Sequence, residues 1–347
     1  MSLTLGCHTA ALPIVQGGMG VGISLSSLAG AVAKCGGVGT ISGVHTGYRD
    51  PEFSADPFRA NLRAIGQELS RAREIAPNGV IGFNFMSVMN HYDAYVREAI
   101  TQGADFIVSG AGLPTGLAKL AQGTKTAILP IVSSARALRL IVKSWLRADK
   151  LPDAVVVEGP LAGGHLGFKY DDVVSGNAPS LASCLTEVLD YVRTLEDTHR
   201  TKIPVIAGGG IQTHADVAQL LALGASGVQI GTRFVATEEC DAGQDFKNAY
   251  LRAQASDIQI IKSPVGLAAR AINGDLLRQA KEQGRIPVQH CYQCMAQCKP
   301  SEIQYCISQA LLDSVQSPQG LVFCGAGVSA IKELSTVPAV IAELLNA

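Results

Sequence analysis

The sequence lacks several features that would assign a protein to a functional class at once. It has no excess of charge of either sign, since 28 Lys and Arg residues stand against 29 Asp and Glu residues. Aromatic residues are only 5% of the chain, and no basic stretch is interleaved with them. These absences argue against a nucleic-acid partner and favour small-molecule ligands.

Long hydrophobic runs are also missing. No apolar run reaches the roughly 20 residues that a membrane-spanning helix needs, and the N-terminal segment MSLTLGCHTAALP lacks a basic leader. Nine cysteines are present, but four of them are scattered (Cys7, Cys35, Cys184 and Cys240) and do not suggest a disulfide framework. We therefore expect a cytoplasmic protein with no membrane partner.

What is present is a regular alternation of apolar and amphipathic segments. Eight short apolar runs predict buried strands: Pro13–Gln16, Val38–Ile41, Val80–Phe85, Phe106–Ser109, Ala127–Val132, Ala154–Glu158, Pro204–Ala207 and Gly227–Ile230. Segments with helical spacing separate them, among them Phe58–Ile75, Tyr92–Gln102, Ala135–Arg147, Leu181–Leu195 and His214–Leu223. This order predicts an α/β protein with a (β/α)8 TIM barrel, and a doubly wound open sheet is the alternative.

The last hundred residues depart from this alternation. We expect the barrel to occupy residues 1–245, with later residues available to complete it. Residues 246–347 are predicted to form a helical, cysteine-containing C-terminal extension or cap. Such a cap could shape access to the barrel mouth or provide the surface of a homodimer, and the sequence does not separate these uses.

A single imidazole follows the sixth predicted strand, in the segment EGPLAGGHLGF at residues 158–168. His165 stands there beside Gly163 and Gly164, whose backbone allows a flat ligand to approach closely. Histidine exchanges protons near neutral pH, so His165 is a candidate acid or base. The alternative is a histidine that is satisfied by backbone hydrogen bonds in a glycine-rich turn.

The loops after strands seven and eight carry a second signal. TIM barrels commonly hold a phosphate between these two loops, where backbone N–H groups point at the anion. AGGGI at 207–211 and QIGTRF at 229–234 place small residues and the Thr232 hydroxyl at those positions. The pair predicts a phosphate-bearing ligand.

Six motifs together resemble the nitronate monooxygenases, formerly called 2-nitropropane dioxygenases. They are PIVQGGMGVGIS at 13–24, GFNFM at 82–86, SGAGLP at 109–114, EGPLAGGHLGF at 158–168, IAGGGI at 206–211 and VQIGTRFVATEECDA at 228–242. The resemblance implies an FMN-dependent TIM-barrel enzyme that oxidises alkyl nitronates with O2 to carbonyl compounds and nitrite. His165 matches the active-site histidine of this family.

The resemblance also implies which residues bind FMN. It assigns the phosphate to Gly209, Gly210, Gly231 and Thr232, and the ring system to Gly18, Met19 and Gly20. Asn84 and Gln229 match positions that contact the flavin or its ribityl chain, and Gly163 and Gly164 complete the predicted set. His165 would remove a proton from a neutral nitroalkane or, when protonated, hold the anionic nitronate. Met19, Met86, Leu161 and Phe168 would suit a short alkyl chain.

Two other functions stay open. An NAD(P)H-dependent flavin oxidoreductase, reducing an enoyl thioester or a quinone, would use the same barrel and flavin. A phosphate-binding barrel without redox chemistry would need a lysine or paired carboxylates at the strand ends, where only Glu158 is clearly present.

The cysteines of the predicted cap form the pattern C-x2-C-x3-C, with a fourth further along. Cys291, Cys294, Cys298 and Cys306 could bind zinc or an iron–sulfur cluster. Free cysteine is also among the most buried residue types, and the nitronate monooxygenases need no metal. We therefore predict no metal and keep these four residues as secondary candidates.

Overall fold

The computed structural model describes residues 1–317 and 319–346, and its central element is a closed barrel of eight parallel strands. The barrel strands are Ile14–Gln16, Val38–Ser42, Val80–Met86, Phe106–Gly110, Ala127–Val132, Val155–Glu158, Val205–Gly208 and Gly227–Ile230. Each strand pairs with the next in chain order, and the eighth pairs with the first. The predicted TIM barrel is confirmed, and its strands begin and end within a residue of the predicted bounds.

Helices surround the barrel and connect its strands. Their bounds are Ser26–Lys34, Pro57–Ile75, Tyr92–Thr101, Leu117–Leu120, Ala135–Trp145, Tyr170–Val174, Leu181–His199, His214–Ala222 and Thr232–Val235, with a short 3-10 helix at Leu146–Ala148. Local signals explain several helix starts. Asp56 accepts a hydrogen bond from the Arg59 N–H just before Pro57 begins its helix, and Ser180 accepts one from the Ser183 N–H.

Side chains alternate between the two faces of each barrel strand. In the third strand, Ile81, Phe83 and Phe85 belong to the core between strands and helices, whereas Val80 packs inside the barrel. This period of two places Asn84, on the same strand, on the inward side near the carboxyl end. The same alternation turns Glu158 and Gln229 inward, because their neighbours Val157 and Val228 lie in the outer core.

The amino end of the barrel is closed by an N-terminal hairpin. Its strands Leu3–Leu5 and His8–Ala10 pair antiparallel. Leu3, Leu5 and Ala10 are buried in one cluster with residues that begin barrel strands, including Val80 and Phe106. The barrel therefore opens only towards its carboxyl end, where functional loops gather in this fold.

A cap covers part of the carboxyl end. It contains the helices Gln244–Arg252, Asp275–Gln283 and Ile307–Gln316, the 3-10 helices Ala255–Asp257 and Val328–Ala330, and the strands Ile258–Lys262 and Ala268–Ile272. The two strands, which the sequence analysis did not predict, form a three-stranded antiparallel sheet with Gly164–Leu166. The cap is thus helical in part, and its sheet is shared with the loop that carries His165.

The last helix, Val337–Leu345, returns to the barrel. Val337, Val340 and Leu344 are buried in the same core as the barrel helices, and the helix contacts those at Ser26–Lys34 and His214–Ala222. It thereby fills the helical layer between the helix that follows the seventh strand and the helix that follows the first strand. The predicted division at residue 245 stays a prediction, but residues 337–345 lie with the barrel rather than with the cap.

Among residues 1–317 and 319–346, no helix combines the length and the apolar character that crossing a membrane requires.

One glycine of the second barrel strand provides a test of how tightly the helical layer packs. A Cβ at Gly39 would lie 2.0 Å from the carbonyl oxygen of Ala29 in the first helix, and backbone cannot move aside as a side chain can. We expect Gly39→Ala to lower the free energy of unfolding by about 3 kcal/mol, measured by urea denaturation. Gly116→Ala is the matched control, because a Cβ there meets nothing within 4 Å. Equal effects of the two changes would contradict this account.

Candidate active site

The carboxyl ends of the barrel strands and the cap enclose a cleft with about 1380 Å³ of empty space, its open mouth included. Every residue that the sequence analysis assigns to catalysis or FMN binding lines this cleft: Gly18, Met19, Gly20, Asn84, Gly163, Gly164, His165, Gly209, Gly210, Gln229, Gly231 and Thr232. The fold therefore brings together residues that are more than 200 positions apart in the chain. Their individual roles stay predictions.

The loop after the first strand forms one wall of the cleft. Ser24 holds it in shape, since its hydroxyl accepts a hydrogen bond from the Met19 N–H at 2.8 Å and its own N–H donates to the Met19 carbonyl at 3.0 Å. Gly18 permits a close approach to the third strand, because a Cβ there would lie 2.4 Å from the Asn84 Cβ. The backbone of this loop is therefore exposed to a ligand beside the Asn84 amide.

The floor of the cleft contains a carboxyl–amide pair. Glu158, Gly208 and Gln229 lie in register on the sixth, seventh and eighth strands. Gly208 has no side chain, so the two flanking side chains meet above it, and Gln229 Nε2 donates to Glu158 Oε1 at 3.2 Å. Burial raises the pKa of Glu158 to about 7, while the Gln229 hydrogen bond opposes that rise. The floor thus contains a carboxyl group that is partly protonated at neutral pH.

The loops after strands seven and eight carry backbone donors without protein partners. Gly209 and Gly210 have φ values of 103° and 83°, a left-handed conformation that favours glycine. The N–H groups of Gly209, Gly210 and Gly231 donate to no backbone or side-chain acceptor within the described part of the chain. Thr232 adds a hydroxyl beside them, which accepts from the Gly325 N–H at 2.9 Å. Free N–H groups in a concave backbone suit the oxygens of a phosphate.

His165 lies on the short strand that the barrel loop shares with the cap, paired with Ala269. Its Nε2 is 2.8 Å from the hydroxyl of Ser263, and its ring packs edge-on against Phe323 with centroids 5.1 Å apart. The residue is half-buried, and burial lowers the pKa of its imidazole to about 4. The ring is therefore neutral at physiological pH.

Several lining residues come from the cap and were missed by the sequence analysis. They are Tyr250, Leu311, Phe323, Cys324 and Gly325. The glycines of LVFCGAG at 321–327 were the available signal, because they follow an apolar run as the barrel loops do. Ser263 was missed as well, and no sequence pattern marks a serine that contacts a histidine 98 residues away.

One residue predicted to line the cleft lies elsewhere. Phe168, expected beside Met19, Met86 and Leu161, does not line the cleft. It packs instead against the small cluster of Ala162, Leu166 and Ala268, because the strand at 164–166 carries it beneath the cap. The other three residues do line the cleft.

The four cysteines of the cap are the secondary metal candidates of the sequence. Cys291, Cys294, Cys298 and Cys306 are free thiols, and in the described ranges no group of three or more His, Cys, Asp or Glu side chains could hold a metal ion. Burial raises the pKa of Cys294 to about 11, which keeps that thiol protonated.

Comparison with known sequences agrees with this geometry. A family profile described as nitronate monooxygenase matches residues 2–347, which is nearly the whole chain. The chain belongs to the nitronate monooxygenase family. Membership makes it a flavin-dependent oxidoreductase. The cleft that contains the glycine loops and His165 is the candidate place for that chemistry.

The individual proteins that this chain resembles are distant in sequence. A Rhodococcus jostii protein named (3aS,4S,5R,7aS)-5-hydroxy-7a-methyl-1-oxo-octahydro-1H-indene-4-carboxyl-CoA dehydrogenase is 26% identical over 79% of this chain, and the match spans 66% of that protein, just under two thirds. A probable nitronate monooxygenase of Staphylococcus aureus is 24% identical over 79% of each chain. The solved structure of FabK from Thermotoga maritima is 25% identical, with a TM-score of 0.72 over 97% of this chain and 92% of that one.

Proposed function

We propose that this protein is an FMN-dependent nitronate monooxygenase, which oxidises alkyl nitronates with O2 to carbonyl compounds and nitrite. The observation that carries the proposal is the cleft itself, in which His165 lies together with the partnerless N–H groups of two glycine loops. Membership of the nitronate monooxygenase family supports the same reaction.

FMN fits the residues that line the cleft. Its phosphate would be held by the N–H groups of Gly209, Gly210 and Gly231 and by the Thr232 hydroxyl. Its ring system would lie against the backbone of residues 18–20, with Asn84 and Gln229 as hydrogen-bonding partners. When bound, FMN supplies the electron transfer, and the protein positions it and excludes competing reactions.

His165 would contact the substrate as a neutral ring. Because its pKa is lowered to about 4, the imidazole carries no charge with which to hold an anion at neutral pH. Ser263 engages Nε2, so Nδ1 is left for the substrate. If the Ser263 hydroxyl donates to Nε2, Nδ1 carries the proton and donates a hydrogen bond to a nitronate oxygen. A ring of such low basicity is poorly suited to removing a proton from a neutral nitroalkane, which favours the preformed nitronate as substrate.

Charge in the cleft is compatible with an anionic substrate. Glu158 is the only acidic residue among those that line it, and its pKa of about 7 limits the negative charge on the floor. No lysine is among the lining residues. A barrel that catalyses proton transfer or aldol chemistry without a redox cofactor would lack both the lysine and the second carboxylate that it needs.

A second candidate function is a reductase or dehydrogenase that acts on a thioester. It is favoured by the likeness to the Rhodococcus protein, whose name describes a dehydrogenase of a carboxyl-CoA. The same flavin cleft could serve this reaction, with NAD(P)H as the electron donor or acceptor.

Absorption spectra of the purified protein distinguish these functions. We expect flavin bands in the protein as isolated, which disappear on anaerobic mixing with ethylnitronate but persist with NADH or NADPH. In air, ethylnitronate should then yield equal amounts of acetaldehyde and nitrite. Rapid bleaching by NADH and none by the nitronate would replace the proposal with the reductase, and absence of flavin would remove both.

His165→Asn tests the role of the imidazole. We expect the variant to retain its FMN and to lose about 100-fold or more in kcat/KM for ethylnitronate, because the shorter asparagine no longer presents the Nδ1–H donor and the loss of one preorganised donor costs about that much. Flavin absorbance per protein and steady-state oxygen consumption measure the two quantities. A variant with an unchanged rate would exclude His165 from the reaction.

Gly210→Ala tests the phosphate loop. A Cβ at Gly210 would lie 2.8 Å from the Leu161 Cβ, and the left-handed φ of 83° adds strain. We expect the Kd for FMN to rise at least about tenfold, measured by flavin fluorescence on dilution, since the loop must shift away from the phosphate. Gly176→Ala is the matched control, with φ of 74° and nothing within 4 Å of its Cβ. If both variants hold FMN as tightly as the original protein, the phosphate lies elsewhere.

A further inference from the structure

A second cavity lies beside the cleft, between the barrel loops and the cap. It contains about 1160 Å³ of empty space, its mouth included. Val44, Met86 and Leu311 line both cavities. The cavity and the cleft are therefore separated by no more than the thickness of these side chains. The two cavities are neighbours, and a substrate with its reactive end in the cleft would reach the second cavity only past these three side chains.

The far wall of the second cavity is a segment of the cap that is fastened to the barrel. Asn90, in the loop after the third strand, donates two hydrogen bonds there: its N–H donates to the Cys294 carbonyl at 3.0 Å, and its side-chain amide donates to the Gln293 carbonyl at 2.6 Å. Met89 and Met295 form a β-bridge beside them. These contacts hold an irregular segment at a fixed distance from the barrel and keep the cavity open.

The lining indicates an uncharged, largely apolar occupant. Most lining side chains are apolar or aromatic, including Phe58, Met89, Tyr95, Met295 and Ile307. Methionine adapts its shape readily, which suits a bulky ligand. No lysine or arginine lines the cavity, and its one carboxylate, Asp56, already accepts from the Arg59 N–H and pairs with the Arg59 guanidinium. A phosphate or other anionic group would meet no permanently charged cation there, beside the histidines His45, His91 and His290.

His45 supplies one polar contact point. It lies in the loop after the second strand, is only 4% exposed, and lines the cavity. Its Nε2 is 2.6 Å from the Ser308 hydroxyl. Among the described residues that line the cavity, its Nδ1 is the one buried side-chain nitrogen or oxygen without a hydrogen-bond partner. Such an atom is costly to bury, and a ligand oxygen that reached it through a small shift of the surrounding side chains would remove that cost.

The protonation of His45 restricts what it can bind. Burial lowers the pKa of its imidazole to about 4, so the ring is neutral at physiological pH. Depending on how the Ser308 hydroxyl is oriented, Nδ1 either donates or accepts one hydrogen bond. A hydroxyl group satisfies both cases, because it can donate or accept.

We propose that the second cavity binds the distal part of the substrate: a branched or cyclic apolar body of at least about six carbons that carries a hydroxyl group against His45 Nδ1. The reactive end of the same molecule lies in the cleft beside His165. This inference rests on the proposed function, because it takes the cleft as the place of oxidation. It assigns the protein a substrate class larger than the short nitroalkanes that the cleft alone would hold.

Carboxylates test the proposal without turnover, because they copy the planar, two-oxygen anion of a nitronate and cannot be oxidised in its place. Calorimetric titration of the flavin-loaded enzyme with propanoate, 3-cyclohexylpropanoate and 3-(4-hydroxycyclohexyl)propanoate compares a short ligand, a large apolar one and a large one with a distal hydroxyl. We expect the cyclohexyl ring to tighten binding at least about tenfold over propanoate, and the hydroxyl to add about fivefold.

Two variants assign these gains to the cavity. Met89→Trp fills the cavity and should abolish the advantage of the ring. His45→Asn should abolish only the advantage of the hydroxyl. Asparagine is chosen because it tolerates the left-handed φ of 49° at this position. Leu140→Trp, on a half-exposed residue of an outer helix, is the matched control and should keep both gains. If His45→Asn fails to fold, Met89→Trp still decides the question.

Three outcomes separate this inference from the proposed function. Equal binding of propanoate and the two larger ligands, or unchanged preferences in Met89→Trp, would overturn the second cavity as a substrate site. Strong ring and hydroxyl preferences in a protein that does not oxidise nitronates would retain the cavity and reject the proposed reaction. Oxidation of ethylnitronate by a protein that shows no ring preference would retain the proposed reaction and reject the second cavity as a substrate site.

Discussion

Hydrogen bonding between the eighth and first strands closes the barrel, and the position of every candidate functional group depends on that closure. Gln229 pairs with Val15 and Ile230 with Gln16, and the Gly17 N–H continues the ladder to the Ile230 carbonyl at 2.9 Å. As a result the first and last barrel loops form one wall, with a Cβ position at Gly231 only 3.2 Å from the Met19 sulfur. An open sheet would leave these two loops at opposite edges, and no single cleft would contain both.

The cap depends on a second, smaller pairing. The strand Gly164–Leu166 belongs to the barrel loop that carries His165, yet it pairs with Ala268–Ile272 of the cap. This pairing fixes the loop's backbone and brings Ser263 and Phe323 against the imidazole. Burial lowers the pKa of His165, and the cap contributes Ser263 and Phe323 to the surroundings that bury the ring.

The strands and many of the cleft residues could be predicted from the sequence because their signals are local. Strands buried on both faces, such as Val155–Glu158, require continuous β-branched or apolar runs, and left-handed turns such as Gly209–Gly210 require glycine. The prediction that Phe168 lines the cleft was wrong, because a side chain two residues beyond a short strand can face either the cleft or the cap. Its direction is set by the pairing of residues 164–166 with the cap, which no local pattern reveals.

By itself, the sequence determined the barrel, the order of its strands and the set of glycines, amides and one imidazole that meet at its carboxyl end. The barrel and its glycine turns follow from periodicity and backbone preference, which act over a few residues, whereas Asn84 and Gln229 were assigned by the resemblance to the nitronate monooxygenases. Only the tertiary structure decided that Ser263 holds His165, that Glu158 reaches Gln229 across Gly208, and that His45 lines a second cavity. Each of these depends on contacts between segments that are distant in the chain, whose free energies come from packing and desolvation in the folded protein rather than from local residue preference.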